Sequence, residues 1–93
     1  MRSFQSNDRL SRNPEMLSTD LDQETVLMSI DAGAYYGLKG TAQSIWEQLE
    51  TPVTFSTLVD RLVEEYQIAP EVCAEDLQKF LAEMEEEGLL RVE

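Results

Sequence analysis

Hydrophobic and polar positions alternate in the first part of the chain and then change to a helical spacing. Between residues 24 and 30, the apolar side chains of Val26, Met28 and Ile30 stand at every second position. This period of two predicts a central strand with one apolar face. A looser mixture of apolar and polar residues over 15–21 predicts an edge strand before it.

A turn and a third strand follow. Asp31, Ala32 and Gly33 have the composition of a turn, and Gly33 can take a positive φ without a steric penalty. The chain then returns as a short strand that is rich in aromatic residues. Its residues are Ala34, Tyr35, Tyr36, Gly37 and Leu38.

Helical spacing begins after Gly40. The apolar stripes are Ala42, Ile45, Trp46 and Leu49 in a first helix and Phe55, Leu58, Val59, Leu62, Val63 and Tyr66 in a second. Thr41 and Thr54 are candidate caps of these two helices. Pro70 is suited to the first position of a third helix, and Gly88 is suited to end it. Residues 89–93 are expected to pack back or to add a short strand.

The third helix has a broad apolar surface, formed by Val72, Cys73, Ala74, Leu77, Phe80, Leu81 and Met84. A helix that packs on one neighbour shows a narrower band. Two interpretations stay open from the pattern alone: the small domain wraps this helix from two sides, or part of the surface lines a groove.

Residues 1–13 are polar and show neither a helical nor a strand period. We expect a disordered N-terminal tail over 1–13 and one folded domain over 14–93. The chain has 93 residues, which is enough for a single small core.

Composition and charge exclude several classes of function. The chain has no histidine and one cysteine, Cys73, so the usual catalytic base, a zinc site and an internal disulfide are not expected. We therefore predict a cytoplasmic protein that is not an enzyme and needs no metal or cofactor. The net charge of −12 argues against nucleic acid as a partner, and the lack of a long apolar segment argues against a membrane.

The predicted strand from Ala34 to Leu38 has an unprotected edge. In a three-stranded meander the last strand lies at the edge of the sheet, where unpaired backbone groups invite another strand. This strand carries no charge and no proline, the devices that usually protect such edges. It is therefore either covered by another element or open to an incoming peptide strand.

The chain resembles the PqqD-like proteins, which are the recognition elements of ribosomally made, modified peptides. The similarity extends from about Pro14 to Val92, and its best markers are Y-Y-G-L in the third strand, the I-W pair of the first helix and the terminal G-L-L. Within this family the chain is most similar to the free-standing, leader-binding B proteins of lasso-peptide pathways, which work with a separate protease.

The resemblance implies an α+β, winged-helix-like fold, with a three-stranded antiparallel sheet followed by a three-helix bundle. It also implies that a precursor leader peptide binds as an added strand on the third strand and inserts apolar side chains against the third helix. By position, the edge is formed by Ala34, Tyr35, Tyr36, Gly37 and Leu38, and the cleft by Cys73, Asp76, Leu77, Phe80 and Met84. The sequence leaves open which of Tyr35 and Tyr36 faces the core, and pairing Tyr36 with Leu38 there is the more natural arrangement.

The partners implied are the leader peptide, the leader peptidase of the same pathway and, as a further candidate, the cyclase. One alternative is the peptide chaperone of pyrroloquinoline quinone biosynthesis. Alternatives from other classes are an acidic winged-helix regulator and a structural subunit whose edge strand is permanently covered.

Overall fold

Two small antiparallel sheets and three helices make up the part of the chain that the computed structural model describes, residues 3–30 and 33–93. In chain order the elements are β1 (Arg9–Arg12), β2 (Met16–Leu21), β3 (Glu24–Ser29), β4 (Ala34–Lys39), α1 (Thr41–Gln48), β5 (Val53–Thr54), α2 (Phe55–Tyr66), α3 (Pro70–Glu86) and β6 (Leu90–Val92). The α+β class and the order of three antiparallel strands before three helices are confirmed. The second sheet was not predicted.

The first sheet has the order β2-β3-β4, so β3 is central and β4 lies at an edge, as predicted. Its register pairs Leu27 of β3 with Tyr36 of β4, and Thr25 with Leu38. Leu38 is buried and Tyr36 packs against the core, whereas the side chain of Tyr35 is 71% exposed. Tyr36 and Leu38 therefore share the core face, and Tyr35 points to solvent.

The face of β3 that packs on the core differs from the predicted one. Thr25 and Leu27 are buried, while Val26 and Met28 are only half buried and Ile30 is 67% exposed. Because β3 is hydrogen-bonded to β4 in one register, its inward residues must be those that pair with Tyr36 and Leu38. The prediction that Val26, Met28 and Ile30 form the packed face is therefore wrong.

The inward hydroxyl of Thr25 is tolerated because it is fully hydrogen-bonded. It donates to Oδ1 of Asp20 at 2.8 Å and accepts from Nε2 of Gln43 at 2.9 Å. A buried hydroxyl with both a donor and an acceptor avoids most of its desolvation cost. This small polar network joins β2, β3 and α1.

The N-terminal segment is part of the fold, and the prediction of a disordered tail over 1–13 is wrong for residues 3–13. β1 is the central strand of the second sheet, with the order β5-β1-β6, and Leu10 is fully buried. β6 pairs with β1 from Leu10 to Arg12, so the short C-terminal strand, one of the two outcomes expected for residues 89–93, is confirmed. Met1 and Arg2 lie outside the described residues.

Side chains of this segment also reach the helices. The ring of Phe4 stacks on that of Phe55 with 6.2 Å between centroids. Its backbone N–H and C=O both bond to the side chain of Gln78, at 2.7 and 2.8 Å. The guanidinium of Arg12 donates twice to the carbonyl oxygen of Trp46 and lies 4.6 Å from the centroid of its ring. Residues 3–13 thus contact α1, α2 and α3.

Helix boundaries follow the predicted signals with one exception. Oγ1 of Thr54 accepts from the N–H of Thr57 at 3.2 Å and caps α2, and Pro70 stands in the first turn of α3. Thr41 is instead the first residue of α1, and the capping position belongs to Gly40, with φ 57° and no side-chain cap. The prediction of Thr41 as a cap is therefore wrong.

The end of α3 is a Schellman motif. Gly88 has φ 78°, its N–H donates to the carbonyl of Glu85 at 3.0 Å, and the N–H of Leu89 donates to that of Met84 at 2.9 Å. Leu89 and Met84 are both buried, which adds the hydrophobic contact typical of this motif. Gly33 also has positive φ, 63°, as its turn composition predicts, while Asp31 and Ala32 lie outside the described residues.

Candidate functional site

The outer edge of β4 is unpaired. β4 is hydrogen-bonded to β3 on one side, and no other strand joins it within the described residues. In an antiparallel pair, every second residue of an edge strand directs its N–H and C=O away from the sheet. The sequence allowed either a covered edge or an exposed one. In the part of the chain that the structure describes, the edge is exposed.

No charged side chain blocks this edge over residues 34–38. The next residue of the strand is Lys39, whose Nζ lies 3.2 Å from Oε2 of Glu24 on the neighbouring strand. Oε1 of Glu24 lies so close to Gly37 that a Cβ there would approach it to 2.9 Å. The Glu24 side chain therefore lies over the face of the sheet and holds the ammonium group of Lys39 beside it.

A cleft of about 440 Å³ opens where β4 passes into α1. Its walls come from all three helices and from the loop before α3. The lining residues are Thr41, Ala42, Ile45, Leu62, Tyr66, Ile68, Cys73, Asp76, Leu77 and Phe80. Most of these side chains are apolar, so the cleft is suited to take up apolar side chains of a ligand.

Tyr36 connects the edge strand to the far end of α3. Its hydroxyl donates to Oε2 of Glu87 at 3.0 Å. This hydrogen bond, and to a smaller extent desolvation, raises the pKa of Tyr36 above its usual value. Glu87 follows the last residue of α3, whereas Thr41, just beyond β4, lines the same cleft as Asp76 and Phe80, which lie further toward the start of α3. β4 therefore runs beside α3 in the opposite direction.

Cys73 forms part of the cleft wall and is 3% exposed. Its Sγ lies 3.9 Å from the carbonyl oxygen of Val59. Desolvation, with a smaller contribution from the charge of Asp76, raises the pKa of this thiol. The thiol is held in its protonated form and packs as a small apolar group.

We expect Cys73 to react slowly with thiol reagents. At pH 8 the folded protein should be alkylated by iodoacetamide about tenfold or more slowly than the same protein in urea, because its thiol is buried and less ionised. The pKa of this thiol is higher in the folded than in the unfolded protein. Its contribution to the free energy of unfolding is therefore present below the unfolded-state pKa and is lost as the pH rises through the folded-state pKa. Equal alkylation rates in both states would show that Cys73 is accessible.

The structure brings together four of the five cleft residues that the resemblance implied: Cys73, Asp76, Leu77 and Phe80 line one cleft. None of residues 34–38 lines it, and their strand leads into it through Thr41, two residues after the end of β4. Met84 does not line the cleft, because it is buried in the core one turn further along α3.

Six lining residues were not predicted as part of a site. They are Thr41, Ala42, Ile45, Leu62, Tyr66 and Ile68. Ala42, Ile45, Leu62 and Tyr66 belong to the apolar stripes of α1 and α2, and periodicity does not separate a stripe residue at a cleft from one in the core. For Ile68, which is 39% exposed between two helices, an apolar residue in a short connection was the available signal.

Other kinds of site have no support in the part of the chain that the structure describes. Among residues 3–30 and 33–93, no three metal-binding side chains cluster. Within the same ranges, no helix is long and apolar enough to cross a membrane.

Comparisons with known proteins found a matching family model and a similar solved structure. The family model for PqqD, described as coenzyme PQQ synthesis protein D, matches residues 24–90, a range that contains β3, β4 and all three described helices. No curated protein matches the chain. The solved structure of TbiB1 in complex with the TbiA(beta) leader peptide is similar, with a TM-score of 0.81 and 28% sequence identity over 87% of this chain and 94% of that chain.

Proposed function

The chain belongs to the PqqD family, and we propose that it is a non-catalytic protein that binds the leader segment of a ribosomally synthesised precursor peptide. The observation that carries the proposal is the open edge of β4 beside an apolar cleft. The similarity to TbiB1, solved with a leader peptide, supports the same ligand class for this chain.

The proposed mechanism is the addition of a peptide strand to β4. Backbone hydrogen bonds along 34–38 supply affinity that depends little on sequence, and side chains that enter the cleft supply specificity. Leu77 and Phe80 form its apolar wall on α3. Tyr35, exposed on the other face of β4, is free to cover outward side chains of the same peptide.

The proposal extends to a place in a pathway. Because the chain resembles the free-standing B proteins of lasso-peptide biosynthesis, we assign it to the presentation of the precursor to a separate leader peptidase, with the cyclase as a further partner. This work takes place in the cytoplasm, where a ribosomally made precursor first becomes available.

An NMR titration tests the proposed site directly. The ¹⁵N-labelled full chain is titrated with a synthetic leader from the precursor gene beside its own gene. Chemical-shift changes are expected in β4 and α3 and at the cleft residues of α1, while β1 and β6 on the second sheet serve as an internal control. Saturable binding that shifts only the second sheet would refute strand addition to β4.

The description of the matching family model favours one alternative, the peptide chaperone of pyrroloquinoline quinone biosynthesis. The binding mode would be the same and the client would differ. The same titration with the precursor peptide of that pathway separates the two functions, because the genuine client should bind more tightly.

A winged-helix regulator that reads DNA is disfavoured by the charge of α3. Its exposed surface carries Glu71, Glu75 and Glu83, which would repel phosphate groups. A mobility shift of DNA at low salt by the purified protein would contradict this argument.

A further inference from the structure

Asp76 is an isolated negative charge in an otherwise apolar cleft. It is the one carboxylate among the described residues that line the cleft, and none of those residues is basic. The nearest cation along α3, Lys79, lies 3.8 Å from Glu75 instead. Asp76 is exposed to solvent and forms no ion pair with any residue that the structure describes.

The spacing of Asp76 and Phe80 matches that of an extended peptide. The two residues are one helical turn apart on α3 and both line the cleft, a separation of about 6 Å along the axis. Side chains on one face of an extended strand repeat about every 6.6 Å. A bound strand with an apolar side chain against Phe80 therefore directs the side chain two positions away toward Asp76.

The direction of the strand sets the order of these two side chains. β4 and α3 run in opposite directions, as the Tyr36–Glu87 hydrogen bond and the position of Thr41 show. A peptide antiparallel to β4, the pairing of all strands in this sheet, runs with α3 and passes Asp76 before Phe80. The residue facing Asp76 then precedes the apolar anchor by two positions.

We infer that the cleft selects leader peptides in which lysine or arginine stands two residues before the apolar anchor, with Asp76 as the specificity-determining residue. This inference rests on the proposed function. The long aliphatic stem of a basic side chain suits the rim of the cleft, where Tyr66 and Ile68 are 37% and 39% exposed. The net charge of −12 adds a general attraction for basic peptides, and Asp76 sets the position at which the basic residue stands in the peptide.

A selection experiment with random peptides tests the inference, since it does not require the sequence of the leader. A phage-displayed library of random peptides, long enough to span the edge of β4, is selected against the full-length protein, the Asp76→Asn variant and the Glu75→Gln variant. Asparagine keeps the shape of the side chain and removes the charge. Glu75→Gln is the matched control, because Glu75 is exposed on the same helix but does not line the cleft.

Enrichment of lysine or arginine two positions before the anchor is expected with the original protein and with Glu75→Gln, and not with Asp76→Asn. In a selected synthetic peptide, replacing that basic residue with glutamine should weaken binding about two- to fivefold, the range of an exposed ion pair. The same replacement should leave binding to Asp76→Asn unchanged. Added salt should reduce the difference.

Two results would overturn the inference while the proposed function stands. One is an apolar anchor without a basic preference at that position. The other is a basic preference that persists in Asp76→Asn, which would assign it to the overall charge. If the selected peptides share no apolar anchor and bind a Phe80→Ala variant as well as the original protein, the proposed function itself fails, and the inference fails with it.

Discussion

Replacing Phe80 with alanine is expected to weaken leader binding by about ten- to a hundredfold. Phe80 lines the cleft and is only half buried in the free protein, so part of its ring is available to a ligand. Losing the burial of one large apolar side chain costs about 1.5–3 kcal/mol, which corresponds to that change in the dissociation constant. Isothermal titration calorimetry with the synthetic leader measures it.

Two further variants separate binding from folding. Phe80 also packs against the core, so Phe80→Leu, which keeps most of the volume, should bind with an intermediate affinity and fold normally. Val72→Ala is the matched control on α3, because Val72 is apolar and 52% exposed but lies outside the cleft lining. Unchanged affinity in a folded Phe80→Ala variant would show that the cleft is not the binding site.

Replacing Leu10 with alanine is expected to lower the free energy of unfolding by about 2–5 kcal/mol. Leu10 is 0% exposed in the central strand of the second sheet. Since a domain of this size has on the order of 5–15 kcal/mol of stability in total, the loss is a large fraction of it. Urea denaturation followed by the fluorescence of Trp46, the single tryptophan, measures the change.

Leu17→Ala provides the matched control for this prediction. It is the same substitution in a strand of the other sheet, at a side chain that is 51% exposed, and it should change the free energy of unfolding by less than about 0.5 kcal/mol. If the two variants lost equal stability, or neither lost any, β1 would not be an integral part of the core.

The N-terminal strand shows why a short element is missed by periodicity. β1 has four residues, and Leu10 is the one among them that is buried, so no repeat is available to detect. Its stability comes from partners distant in the chain, namely β5, β6 and the carbonyl oxygen of Trp46, which accepts from Arg12. Such contacts leave no local signal in the sequence.

The faces of β3 and β4 show a second limit. A period of two identifies a strand but not its buried face when both faces carry apolar residues, as in β3. The three apolar residues Val26, Met28 and Ile30 on one face led to the wrong choice. In β4, the sequence left the inward tyrosine open, and the structure has the arrangement named as the more natural one, with Tyr36 and Leu38 on the core side. The register between the strands decides the inward face.

The unpaired edge of β4 and four residues on the α3 side of the cleft could be expected from the sequence, and the opposite side could not. The absence of charge and proline over 34–38 pointed to an unprotected edge, and the family resemblance implied Cys73, Asp76, Leu77 and Phe80, which line the cleft. That a peptide binds there stays a prediction. Ala42, Ile45 and Leu62 reach the same cleft only because α1 and α2 pack beside α3. Met84 was placed in the cleft by position, and the rotation of α3 buries it instead.

The sequence by itself determined the three helices, their ends at Thr54, Pro70 and Gly88, and the strand order of the first sheet. These features depend on local capping, turn chemistry and periodicity, which neighbouring residues carry. The tertiary structure alone decided that residues 3–13 belong to the fold, which face of β3 is buried, and which stripe residues line the cleft. Those outcomes depend on how elements far apart in the chain pack against one another, so no local sequence pattern predicts them.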